Sequence, residues 1–190
     1  MIDIINESIV FKVSDDHKVQ TELFDDIGVL VVDNFYKNPD LVRKLIDDIP
    51  ATTHTNRGGY PAAAINVSYN MQPVVETYRH YIQTYFPNCL SDDYITSIMS
   101  QASFMVNVMQ SDGNEYLPPH TDCPSTTNLA SGIFLNTPEK CSGGTSFFKD
   151  NKYLGYVKMK YNRMILYHQN VQHTAFMDYN SFVGANYRIN

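Results

Sequence analysis

The stretch Gln101-Ala102-Ser103-Phe104-Met105-Val106-Asn107-Val108-Met109 alternates Ala102, Phe104, Val106 and Val108 with Ser103, Met105, Asn107 and Met109. A period of two is the signature of an extended strand, because successive side chains point to opposite faces. The same texture continues downstream. Leu129 to Asn136, Thr145 to Phe148, Gly155 to Lys160, Arg163 to Tyr167 and Val183 to Ile189 all read as strands. Turns separate them at spacings of about 8 to 12 residues, which suits an antiparallel sandwich or jelly roll.

Upstream the pattern differs. Ile27-Gly28-Val29-Leu30-Val31-Val32-Asp33 is a continuous apolar run of strand length. Asn38-Pro39-Asp40 then offers an N-cap, a proline at the first helical position and an acid in the first turn. The spacing of Leu41, Val42, Leu45, Ile46 and Ile49 predicts a helix over 39–48 that Pro50 ends. Val74, Val75, Tyr78, Tyr81, Ile82 and Tyr85 predict a second helix over 72–86, ahead of Pro87. Between them, Thr52 to Tyr69 contains Arg57-Gly58-Gly59-Tyr60-Pro61 and reads as a loop or irregular edge. The expected fold is α+β and mainly β. A single domain over 1–190 packs the N-terminal strand and helical flank of 1–100 on one face of a jelly roll, cupin-like in shape, built by 101–190.

Composition narrows the partners. The chain has 190 residues, Lys+Arg 14 against Asp+Glu 20, and 43% hydrophobic residues. That apolar content supports a real core and disfavours disorder. A net charge of −6, with no Lys/Arg run longer than a pair, disfavours nucleic acid and a polybasic membrane patch. The first residues lack a basic segment, and no apolar run approaches the ~20 residues of a spanning helix, so neither a signal peptide nor a membrane anchor is expected. Cys89, Cys123 and Cys141 are odd in number and form no CxxC, which suits a reducing, cytoplasmic setting.

The chemistry-bearing residues lie in the β half. In extended chain, residues i and i+2 point the same way, so His120 and Asp122 of Pro118-Pro119-His120-Thr121-Asp122 present an imidazole and a carboxylate to one side. His173, at an expected strand start, would complete a face of two histidines and one carboxylate. Such a face leaves three octahedral positions for a bidentate co-substrate and O₂, a set suited to non-haem Fe(II). His168 competes for the same role, and for either histidine the alternative is a buried ring bonded to a neighbour. Arg188, in the last expected strand, could hold a distal carboxylate through a bidentate pair.

These residues carry a resemblance. Leu117-Pro118-Pro119-His120-Thr121-Asp122, Ser131-Gly132-Ile133-Phe134-Leu135-Asn136, Ser142-Gly143-Gly144-Thr145-Ser146-Phe147-Phe148, Asn162-Arg163-Met164-Ile165-Leu166-Tyr167, His173 and Arg188 stand in an order and spacing similar to the Fe(II)/2-oxoglutarate-dependent dioxygenases. The resemblance is in particular to the prolyl-4-hydroxylase-like branch, including its small stand-alone bacterial and marine-phage members. Val31-Val32-Asp33-Asn34-Phe35-Tyr36 and the following helix resemble that group's opening. The resemblance implies a double-stranded β-helix core, with His120, Asp122 and His173 as iron ligands and Arg188 on the C5 carboxylate of 2-oxoglutarate. Tyr116, Asn107 and Thr121 are candidates to orient that set. The implied reaction couples oxidative decarboxylation of 2-oxoglutarate, to succinate and CO₂, with hydroxylation of an unactivated C–H bond in a peptidyl residue such as proline or in a small molecule. Arg57 and Tyr60, on the Gly-Gly loop, are candidate substrate contacts. The chain departs from the pattern at Asn190, where many members carry Ser or Thr two residues after the basic residue. Two other readings use the same fold: a non-catalytic binding or assembly module, such as a self-associating virion component, and a hydrolytic Zn²⁺ site.

Overall fold

The computed structural model describes residues 6–48, 62–63, 67–68, 71–89, 103–104, 108–109 and 118–178. In chain order these form α1 (Glu7–Val10), β1 (Lys18–Phe24), β2 (Ile27–Asp33), α2 (Pro39–Asp48), β3 (Ala62–Ala63), β4 (Val67–Ser68), α3 (Gln72–Tyr85), β5 (Ser103–Phe104), β6 (Val108–Met109), β7 (Leu129–Phe134), β8 (Gly144–Lys149), β9 (Lys152–Lys158), β10 (Arg163–His168) and β11 (Gln172–Phe176). The architecture is α+β and mainly β, and the described strand pairings are antiparallel. Among the described residues one sheet has the order β1-β2-β10-β7 and a second has β11-β8-β9. The chain passes between them repeatedly: β7 lies in the first, β8 and β9 in the second, β10 in the first and β11 in the second.

The continuous apolar runs of β2 and β10 follow from burial on both faces. Leu30, Val32, Met164 and Leu166 face one core cluster with Val42, Leu45 and Ile46 of α2 and Val74, Tyr81 and Ile82 of α3. Val29, Val31, Ile165 and Tyr167 face a second cluster with Phe147 of β8 and Val157 of β9. Helices therefore cover one face of the first sheet and the second sheet covers the other. Leu41 and Tyr85, expected on the buried stripes, are exposed. Leu41 sits about 100° round the helix from Val42, and Tyr85 is the last residue of α3.

The N-terminal half departs from the sequence expectation. The N-terminal strand is no flank, because β2 lies inside the first sheet, hydrogen-bonded to β1 and β10. The preceding edge strand β1, Lys-Val-Gln-Thr-Glu-Leu-Phe, is too polar to announce itself, and Leu23 is exposed. Within 52–69, expected as a loop or irregular edge, β3 and β4 pair with β6 and β5 in a single antiparallel register, Ala62 to Met109 and Ser68 to Ser103, which agrees with the irregular edge. The strand expected at 183–189 lies outside the described residues. Among the described residues no helix is long and apolar enough to cross a membrane.

Local chemistry holds the frame. Asp150 and Asn151 have φ of 51° and 63°, both positive as the two-residue type I′ turn between β8 and β9 requires. Asn162 is buried with φ 62°. Its side chain accepts from the Tyr36 N–H and donates to the Tyr36 carbonyl, both at 2.8 Å, clamping the exit of β2 to the start of β10. Gly155 of β9 lies under the Phe24 ring, where a Cβ would stand 2.6 Å from Cδ1.

Candidate metal centre

His120 and His173 form an isolated antiparallel bridge beside β11. Each backbone N–H donates to the other's carbonyl, at 3.0 and 2.9 Å. Directly opposed residues of this kind put their side chains on the same side, and the two rings lie 4.8 Å apart. The Asp122 N–H donates to the Gln169 carbonyl at 3.1 Å, tying the segment to the β10–β11 turn. Two residues beyond His120, the Asp122 carboxylate then meets both rings: Oδ1 stands 3.8 Å from His120 Nε2 and Oδ2 stands 3.6 Å from His173 Nε2. One ligand atom from each of the three residues lies within 4.8 Å of the others.

Both tautomers follow from the second ring nitrogen. His120 Nδ1 faces the Pro118 carbonyl at 3.2 Å and His173 Nδ1 faces the Val171 carbonyl at 3.0 Å. A carbonyl only accepts, so each Nδ1 is the donor, and in the neutral ring each Nε2 lone pair points at the site. Burial is the main influence on His173 and pushes its imidazole below the ordinary value. It outweighs the upward pull of the Val171 carbonyl and Asp122, with His120 adding to the lowering. His173 is therefore the buried, neutral anchor, while His120 is half-buried and Asp122 exposed. Two imidazole nitrogens and a carboxylate oxygen thus converge within 4.8 Å of one another, ligand atoms that a cation would bridge. The donor set fits a divalent transition metal, with the carbonyls of Pro118 and Val171 orienting the imidazoles.

The structure thus brings together the three residues singled out in the sequence. It sets His168 apart: Nδ1 lies 3.0 Å from the Thr126 carbonyl and 3.7 Å from the Cys89 sulfur, with the ring edge-on to Phe86. Thr121 is exposed. Cys123 is half-buried and accepts a long contact from the Asn128 amide at 3.6 Å. Arg57, Tyr60, Asn107, Tyr116 and Arg188 lie outside the described residues. Sequence reading missed the two orienting carbonyls and Tyr167, whose ring stands 5.0 Å from His173 at 67°. Backbone acceptors leave no mark in side-chain identity, and Tyr167 reads as one more apolar position of β10.

The sequence profile of a family of unknown function, DUF6445, matches residues 16–154, a span that contains His120 and Asp122 and ends before His173. No curated protein and no solved structure matches the chain. With the match covering well over half of its length, the chain belongs to the DUF6445 family.

Proposed function

We propose that the chain is an Fe(II)- and 2-oxoglutarate-dependent oxygenase that hydroxylates an unactivated C–H bond. The convergence of one ligand atom from each of His120, Asp122 and His173, all within 4.8 Å of one another, carries this reading. Two histidines and a carboxylate are the donor set of non-haem Fe(II) oxygenases. The strand order supports it. His120 bridges to β11, β11 pairs β8 and β8 pairs β9, while β10 pairs β7 in the opposite sheet. Alternate passage between two sheets is the winding of a jelly roll, and the motif order resembling the prolyl-4-hydroxylase-like branch agrees with it.

When bound, Fe(II) with 2-oxoglutarate and O₂ supplies the oxidising power for the C–H bond. The chain supplies placement. His173 offers a neutral nitrogen from a buried position, and its Nδ1–H bond to the Val171 carbonyl fixes the ring. His120 is held in the same way from Pro118. Asp122 adds negative charge at the exposed side of the site, and the three residues leave the remaining directions for co-substrate. Arg188 takes the distal carboxylate of 2-oxoglutarate, and Arg57 and Tyr60 meet the substrate.

Anaerobic titration of the Fe(II)-loaded protein with 2-oxoglutarate tests this directly. A weak visible charge-transfer band is expected, abolished by His173→Ala and Arg188→Ala. Folded, iron-loaded wild type without that band would overturn the assignment and leave a binding or assembly role.

A further inference from the structure

Three aromatic side chains form a file that ends on the candidate metal centre. Phe24, at the end of β1, stacks on Phe147 of β8 with centroids 5.3 Å apart and planes at 20°. Phe147 meets Tyr167 of β10 edge-on at 5.1 Å and 84°. Tyr167 meets His173 at 5.0 Å and 67°, and His173 meets His120 at 4.8 Å. Phe147 and Tyr167 are buried, and Phe147 is also the register partner of His173 across β8 and β11. The file thus alternates between the two sheets, from the end of the first sheet's edge strand to the buried histidine on β11.

A histidine ring has two soft torsions, and the bond from Nδ1 to the Val171 carbonyl restrains the ring at one point. A second, lateral restraint is needed to fix the plane, and closely packed rings provide it. Tyr167 is the group in that position. Its own place is set by Phe147, and that of Phe147 by Phe24, which rests over Gly155. Hydrogen-bonded partners that orient a metal-bound histidine typically contribute about 10- to 100-fold in metal affinity, which sets the upper scale for a packing restraint on the same ring.

We propose that Tyr167 is a positioning residue for His173, and that Phe24 and Phe147 transmit its restraint from the edge of the sandwich, so that metal affinity is set partly three rings away. The inference rests on the reading of His120, Asp122 and His173 as metal ligands, but its first test needs no metal. In the metal-free protein, imidazole ¹⁵N shifts are expected to report His173 as one tautomer protonated on Nδ1 in wild type and in Tyr167→Phe. In Tyr167→Leu the same signals are expected to move toward a tautomer mixture.

The second test is titration with Co(II) alone, followed by its visible ligand-field spectrum. Tyr167→Leu is expected to bind about tenfold more weakly, and Tyr167→Phe within about twofold of wild type. Phe24→Ala is expected to weaken binding less, and to add nothing in the Tyr167→Leu background. A folded Tyr167→Leu protein with wild-type Co(II) affinity and an unchanged His173 tautomer would overturn the proposal. If that variant does not fold, undiminished affinity in folded Phe24→Ala overturns it equally. Wild type that binds no Co(II) would instead sink the metal reading, and the tautomer comparison would still decide the role of Tyr167.

Discussion

Asp33 shows how one residue can join distant parts of the chain. It closes β2 and accepts from Arg163 Nε at 2.7 Å and Nη2 at 3.1 Å, with Lys160 Nζ at 2.8 Å. Burial alone would raise its carboxyl, but the Arg163 and Lys160 bonds outweigh burial and hold it below the ordinary value. A depressed folded-state value gives stability that is fully present above the ordinary carboxyl pKa of about 3.9 and is lost as pH falls through the lower folded value. Asp33→Asn is therefore expected to be about 2 kcal/mol less stable than wild type at neutral pH, with Arg163 losing its charged partner. That gap should narrow in urea melts run below about pH 4. A gap that stays constant through the acid range would contradict the assignment.

Among the elements, β9 is held to the end of β1 by one close approach. A Cβ on Gly155 would fall 2.6 and 2.7 Å from two Phe24 ring atoms, so alanine there must push the ring aside. Gly155→Ala is expected to cost about 1–2 kcal/mol by overcrowding. Phe24→Leu should recover part of that loss in the double variant, a coupling that thermal melts of the two single variants and the pair would reveal. Additive losses would mean that the ring has room to move.

The elements also differ in how far sequence announces them. α2 appears at Pro39–Asp48 because Asn38-Pro39-Asp40 and a clean apolar stripe both mark it. β2 and β10 are legible as unbroken apolar runs because both faces are buried. β1 is not, because this edge strand exposes Lys18, Gln20, Thr21 and Leu23, residues of both faces, and so shows no clean alternation to distinguish it from a polar surface segment. β11 is half legible. His173 marks its start, but Gln172-His173-Thr174-Ala175-Phe176 pairs with β8 through backbone bonds that composition does not encode.

For the whole molecule, a ligand that binds only the folded state raises its stability by mass action. Divalent metal at about 100 times its Kd is expected to add about 2.7 kcal/mol, or about 5–10 °C in Tm for a chain of this size. The shift should vanish in Asp122→Ala. An equal shift in that variant would place the metal elsewhere.

The sequence by itself determined the mainly-β character, the two helices and the pairing of His120 with Asp122, because strand and helix periodicity and the His-x-Asp spacing are local properties of the chain. Only the tertiary structure decided that β2 lies inside the first sheet and that His173, rather than His168, faces Asp122. Those two histidines sit five residues apart, on successive antiparallel strands in different sheets. Which of them reaches the carboxylate depends on the register of the His120–His173 bridge, and register is set by long-range backbone pairing that no local stretch of sequence contains.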